Sequence, residues 1–136
     1  MIVAFWCVLF AGILPIVCSY LAKFGSKAGA GGSPGFDNHE PRVWLALQTG
    51  MRARANAAQA NSWEAFPLFA AGVVVAVLQQ VPFATINLLA IVFIVARVAF
   101  IACYVADRPM LRSPAWLVGF LASVGLFAVA STGSLR

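Results

Sequence analysis

Apolar and polar positions along this chain come in long blocks. Ile2 to Ala22 holds no charged residue, and a helix of that length, rising 1.5 Å per residue, crosses the roughly 30 Å hydrocarbon core of a bilayer. Pro15 inside it predicts a kink. From Lys23 to Arg42 the character changes to Gly, Ser, Pro and charge, which breaks helices and predicts a flexible loop. A second helix is expected over about 43–80, polar in its first half and apolar from Phe66 to Leu78, so its first turns project beyond the membrane. The third, about 82–105, follows a short uncharged connection. The fourth, about 114–132, follows a charged loop at 106–113. Residues 1–136 then form a single all-α transmembrane domain, an integral membrane four-helix bundle with antiparallel neighbours and left-handed packing.

Composition sharpens this picture, because 62% hydrophobic and only 10% charged residues place the chain in lipid. A net charge of +5 could signal nucleic acid, but these cations flank apolar runs and make no patch on a soluble fold, so no nucleic-acid partner is expected. They orient the chain instead. Lys23, Lys27, Arg42, Arg52 and Arg54 gather at the first loop and the base of the second helix, Arg108 and Arg112 at the third loop, and none at 79–83. By the positive-inside rule the loops at 23–42 and 106–113 are cytoplasmic and both termini face the other side, with Arg136 dissenting weakly. No basic residue precedes the first apolar run, which favours an uncleaved helix over a signal peptide.

Several chemistries are set aside by spacing. Gly25, Gly29, Gly31, Gly32 and Gly35 lack the strand-then-helix setting and lysine of a phosphate loop. Cys7, Cys18 and Cys103 show neither C-x-x-C spacing nor an even count, and read as free buried thiols, Cys103 alone having arginines nearby that could activate it. No His, Cys or carboxylate cluster suggests a metal. His39 reads as a surface residue.

The polar groups inside or beside the spans need an explanation, since burying them is costly without partners. Arg54, Asn61 and Glu64 return to one face of the second helix. Arg97 lies about 10 Å along the third helix from Tyr104. Glu64 is the acid at comparable depth, so Glu64 and Arg97 are expected to face each other, with Asn61 and Tyr104 completing the network. Such a network could serve helix register alone. Convergence of cations, an acid, an amide, a phenol and a hydroxyl near one membrane face also suits a pocket for a small zwitterionic or anionic ligand.

The run R-A-R-A-N-A-A-Q-A-N-S-W-E-A-F-P from Arg52 to Pro67 resembles the second-helix signature of the MAPEG family, the membrane-associated proteins of eicosanoid and glutathione metabolism. A-R-V-A-F-I-A-C-Y from Ala96 to Tyr104, followed by L-R-S from Leu111 to Ser113, resembles the family's third helix and following loop. The likeness is strongest to the short bacterial members. It implies a homotrimer in the inner membrane, with glutathione as co-substrate bound between subunits near the cytoplasmic face, and a lipophilic electrophile or hydroperoxide drawn from membrane lipid. By motif, Arg54, Asn61, Glu64, Arg97 and Tyr104 would hold the tripeptide. Arg112 would stabilise the thiolate, Ser113 could donate a hydrogen bond to it, and Trp116 would border the site.

Some positions depart from the family pattern. Ala57 and Ala60 stand where other members tend to carry basic residues, and Phe100 where some are polar. These leave room for a second reading, a non-catalytic lipid-binding member of the same family. A third, a small multidrug transporter using Glu64 as its proton-coupling carboxylate, is opposed by the cations around Glu64.

Overall fold

The structure, a computed structural model, describes residues 3–25 and 35–133. Lys27, the glycines between it and Pro34, and Arg136 lie outside them. The described residues form five helices: α1 Val3–Phe24, α2 Pro41–Ala46, α3 Gly50–Leu78, α4 Phe83–Val105 and α5 Pro109–Gly133. Four of them, α1, α3, α4 and α5, are long and apolar enough to cross a membrane. α3, with 29 residues, is about 43 Å long at 1.5 Å per residue and exceeds the hydrocarbon core, so its polar first half reaches past it.

The four long helices make a rhombus in which α3 and α4 touch across the short diagonal and α1 and α5 occupy the far corners, the antiparallel pairs α1–α3 and α4–α5 being the most extensive contacts. All charged side chains at helix ends and connections, among the described residues, gather at the end holding α2 and the α4–α5 turn. The opposite half is apolar and tightly packed. Phe69 and Phe93 stack with centroids 3.8 Å apart and planes 5° from parallel, and Gly72 lets α3 approach Leu126 and Phe127 of α5 so closely that a Cβ there would stand 3.1 Å from that of Leu126.

The helices differ from the sequence expectation in two places, each for a local reason. The helix expected over 43–80 is two helices, because the chain turns at Leu47–Thr49 and Gly50 takes φ +60, a conformation that suits glycine and ends helical continuity. The fourth span begins at Pro109 rather than Pro114. Proline in a first helical turn forfeits an amide that has no partner there. Pro114 is then tolerated inside α5.

Both tight interhelical turns close in the same way. After α3, the Val81 amide bonds the Ala76 carbonyl and Gln80 sits at φ 56; after α4, the Arg108 amide bonds the Cys103 carbonyl and Asp107 sits at φ 59. These are Schellman closures with a left-handed residue that is not glycine. At the charged end the segment from Phe36 is tied to the bundle by rings: Tyr20, Phe24, Phe36 and Trp44 follow one another at 4.9, 5.9 and 5.2 Å, with Lys23 over Phe36 and Arg52 over Trp44.

Candidate functional site

Arg97 stands eight residues before the end of α4, about 12 Å into the bundle, and is only 3% exposed. A guanidinium at that depth requires acceptors. α3 supplies two: Arg97 Nη1 donates to Asn61 Oδ1 and Nη2 to Ser62 Oγ, both at 3.0 Å. The Ser62 hydroxyl donates its proton to the Ala58 carbonyl at 2.8 Å, which turns its lone pairs toward the arginine. Asn61 in turn donates from Nδ2 to Glu64 Oε2 at 3.3 Å.

The expected direct pairing of Glu64 with Arg97 is thereby corrected. They make no ion pair, because Glu64, one turn beyond Asn61, points out of the bundle and is exposed, so the Asn61 amide spans the gap. Its carbonyl faces the cation and its NH2 faces the acid. This polarised relay leaves a carboxylate on the outer surface of a membrane helix.

A second chain of contacts leaves Arg97 along α4. Its guanidinium lies 4.3 Å from the Phe100 centroid, Phe100 meets Tyr104 edge-on at 5.5 Å, and Arg112 of α5 sits 4.3 Å over the Tyr104 ring. Spacings of three and four residues bring Arg97, Phe100 and Tyr104 onto one helix face. The two rings thus carry a cation at each end, each attracted to a ring face.

Beside the relay, α3, α4 and α5 line a half-open cavity of about 210 Å³. Asn61, Glu64 and Arg97 form its polar end, and Trp116, Phe120 and the buried Ser123 line the side toward α5. Trp116 and Phe120 stack 4° from parallel at 5.3 Å. Gly119 permits the approach of α5, its Cβ position being 3.6 Å from the Arg97 Cδ. Small-molecule sites run to roughly 300–1,000 Å³, so this cavity is smaller than a complete one.

The MAPEG family profile matches residues 3–132. The chain belongs to the MAPEG family. No curated protein and no solved structure matches it.

For a MAPEG protein the disposition of the remaining expected residues is informative. The structure brings Asn61, Glu64 and Arg97 together by hydrogen bonds and joins Tyr104 and Arg112 to them through Phe100. Arg54 lies elsewhere, roughly 10 Å along α3 from Asn61: its Nε donates to the Val105 carbonyl at 3.2 Å and its Nη1 lies 3.7 Å from Asp107 Oδ2. Ser113 is exposed and turns its hydroxyl to the Pro109 carbonyl at 3.4 Å. Cys7 and Cys18 are buried and Cys103 is half-buried, all as free thiols.

Two residues escaped the sequence reading. Ser62 shares Arg97 with Asn61, and could have been found as the hydroxyl adjacent to Asn61 and one turn from Ala58. Gln59 has a buried side-chain carbonyl oxygen without a hydrogen-bond partner. A buried acceptor left without a donor is costly.

Proposed function

We propose that this MAPEG protein is a membrane-bound glutathione-dependent transferase or peroxidase acting on lipophilic electrophiles or hydroperoxides. The observation that carries the reading is the Arg97–Asn61–Glu64 relay, opening from the bundle into a cavity whose other walls are largely apolar, with Leu68, Phe93, Trp116 and Phe120 among them. A zwitterionic peptide needs a cation for its carboxylate and an acid for its ammonium, and a bilayer-soluble co-substrate needs apolar walls.

In this reading Asn61, Glu64, Arg97 and Tyr104 hold the tripeptide, and Arg112 stabilises the sulfur as thiolate. The thiolate forms a carbon–sulfur bond with an electrophilic carbon. A leaving group departs with its electron pair, or an activated double bond takes up a proton. With a hydroperoxide, sulfur attacks the O–O bond and releases the alcohol, and a second thiol reduces the resulting sulfenic acid to disulfide and water. Trp116 and Phe120 would hold the apolar co-substrate.

The exposed Glu64 and the small cavity favour a site completed by a second subunit, in line with a homotrimer. The clustering of cations favours a cytoplasmic placement of the α2 and α4–α5 end. Calorimetry of glutathione with the purified protein, alongside thiolate absorbance, tests the proposal. Glu64→Gln should weaken binding and Arg112→Ala should remove the thiolate signal. Absence of binding at millimolar glutathione would reject it in favour of a lipid-binding scaffold.

A further inference from the structure

We infer that Arg54 and Asp107 are positioning residues that hold the α4–α5 turn so that Arg112 rests on the Tyr104 ring. The inference rests on the role given above to Arg112, which touches the thiol, and assigns to Arg54 a task other than holding ligand.

Only Ala106, Asp107 and Arg108 separate α4 from α5, so the conformation of these three residues sets where α5 begins. Asp107 occupies the left-handed region at φ 59, which aspartate tolerates better than most residues but which still opposes the closure. Strain of that kind persists where surrounding groups over-determine the backbone. Arg54 supplies the determination from a third helix, with one bond to the carbonyl of Val105 just before the turn and an ion pair to the carboxylate of Asp107 within it. Its planar fork reaches both sides of Ala106 at once.

Beyond the turn, the amide of Arg112 bonds the Arg108 carbonyl at 3.0 Å, which places Arg112 in the first turn of α5. From there its guanidinium reaches back to Tyr104, one residue before Val105. The position of Arg112 relative to Arg97 therefore depends on the turn that Arg54 grips. Asp107 is also the acid in a stretch that holds Arg108 and Arg112, and it balances Arg54 across the helices. A cation serving topology alone would lie in solvent. Arg54 is partly buried, its side chain 31% exposed, and bonded to backbone.

The test uses the full chain in detergent with glutathione bound, following thiolate absorbance against pH in wild type, Arg112→Ala, Asp107→Gly and Arg54→Gln. Asp107→Gly keeps the turn, since glycine adopts positive φ freely, while removing the carboxylate, so it remains interpretable if Arg54→Gln fails to fold. Expected is an upward shift of the thiolate midpoint in Asp107→Gly, in the direction of Arg112→Ala but smaller, with glutathione affinity unchanged. A wild-type midpoint in Asp107→Gly, beside a shifted Arg112→Ala, overturns the positioning role and leaves the thiolate reading intact. A wild type that shows no thiolate, or an Arg112→Ala that matches it, overturns the role of Arg112 and the positioning role with it.

Discussion

The two halves of this bundle hold together by different physics. In the half near the α3–α4 turn, stacked Phe69 and Phe93 and the Gly72 contact bring helices together through shape. In the half near the α4–α5 turn, the contacts are a buried arginine shared by two α3 acceptors, a ladder of rings and cations, and an arginine clasping a helix end. Lipid is as apolar as leucine, so helices gain little by burying leucine against each other and association depends on close packing or on polar bonds. One half uses the first and the other uses the second. The polar half also carries the cavity and, in Glu64, an acid without a cation partner among the described residues.

The largest effect should come from spoiling the close-packed half. Gly72→Val puts a branched side chain against Leu126 and Phe127, where even a Cβ is tight. Overpacking of this kind costs about 1–3 kcal/mol. The thermal midpoint in detergent should fall, while the protein that remains folded binds glutathione as wild type does. A loss of affinity at unchanged stability would mean that the halves are not independent.

Arg97→Met comes next and acts in the other half. Charge-assisted hydrogen bonds are worth about 1.5–3 kcal/mol each, so removing the guanidinium should weaken glutathione binding by roughly ten- to hundredfold. Methionine fills the space without burying a charge, so the thermal midpoint should fall by less than in Gly72→Val. Calorimetry and intrinsic fluorescence read the two quantities separately.

Glu64→Gln separates function from stability most sharply. The side chain is exposed and its one hydrogen bond is to Asn61, so stability should change by no more than about 0.5 kcal/mol. Glutathione affinity should drop by roughly tenfold, the equivalent of about 1.4 kcal/mol. An equal drop for a ligand lacking the ammonium group would show that Glu64 acts through Asn61 rather than on the ligand.

The spans were legible because each is a block of apolar residues long enough for a bilayer, and the relay partners because polar groups in such blocks stand out. Which way they point was less legible. Glu64 and Arg97 lie at matching depth, yet depth does not reveal that Glu64 faces outward and that Asn61 stands between them. Arg54 shares a helix face with Asn61, but α4 ends beside it, and that depends on where two helices cross. The break at Gly50 had a signal in the glycine itself. The closures at Gln80 and Asp107 had none, because both positions lack the glycine that usually marks a helix end.

Those two closures allow the finest comparison. Gln80 and Asp107 have nearly the same φ, 56 and 59, and close their helices with the same pair of hydrogen bonds, but only Asp107 also meets an arginine. Glycine at a left-handed position relieves about 1–2 kcal/mol of backbone strain, and the freer unfolded chain it brings takes back about 0.4–1 kcal/mol, which leaves a net gain of up to roughly 1 kcal/mol. Gln80→Gly should show that gain in full as a higher thermal midpoint. Asp107→Gly should show less, since the same substitution forfeits a partly exposed ion pair worth about 0–1 kcal/mol. Raising the salt concentration screens that pair, so the stability difference between the two variants should narrow. If the two variants gain equally at low salt, the Arg54 contact adds nothing to stability, and what it contributes is the placement of the turn.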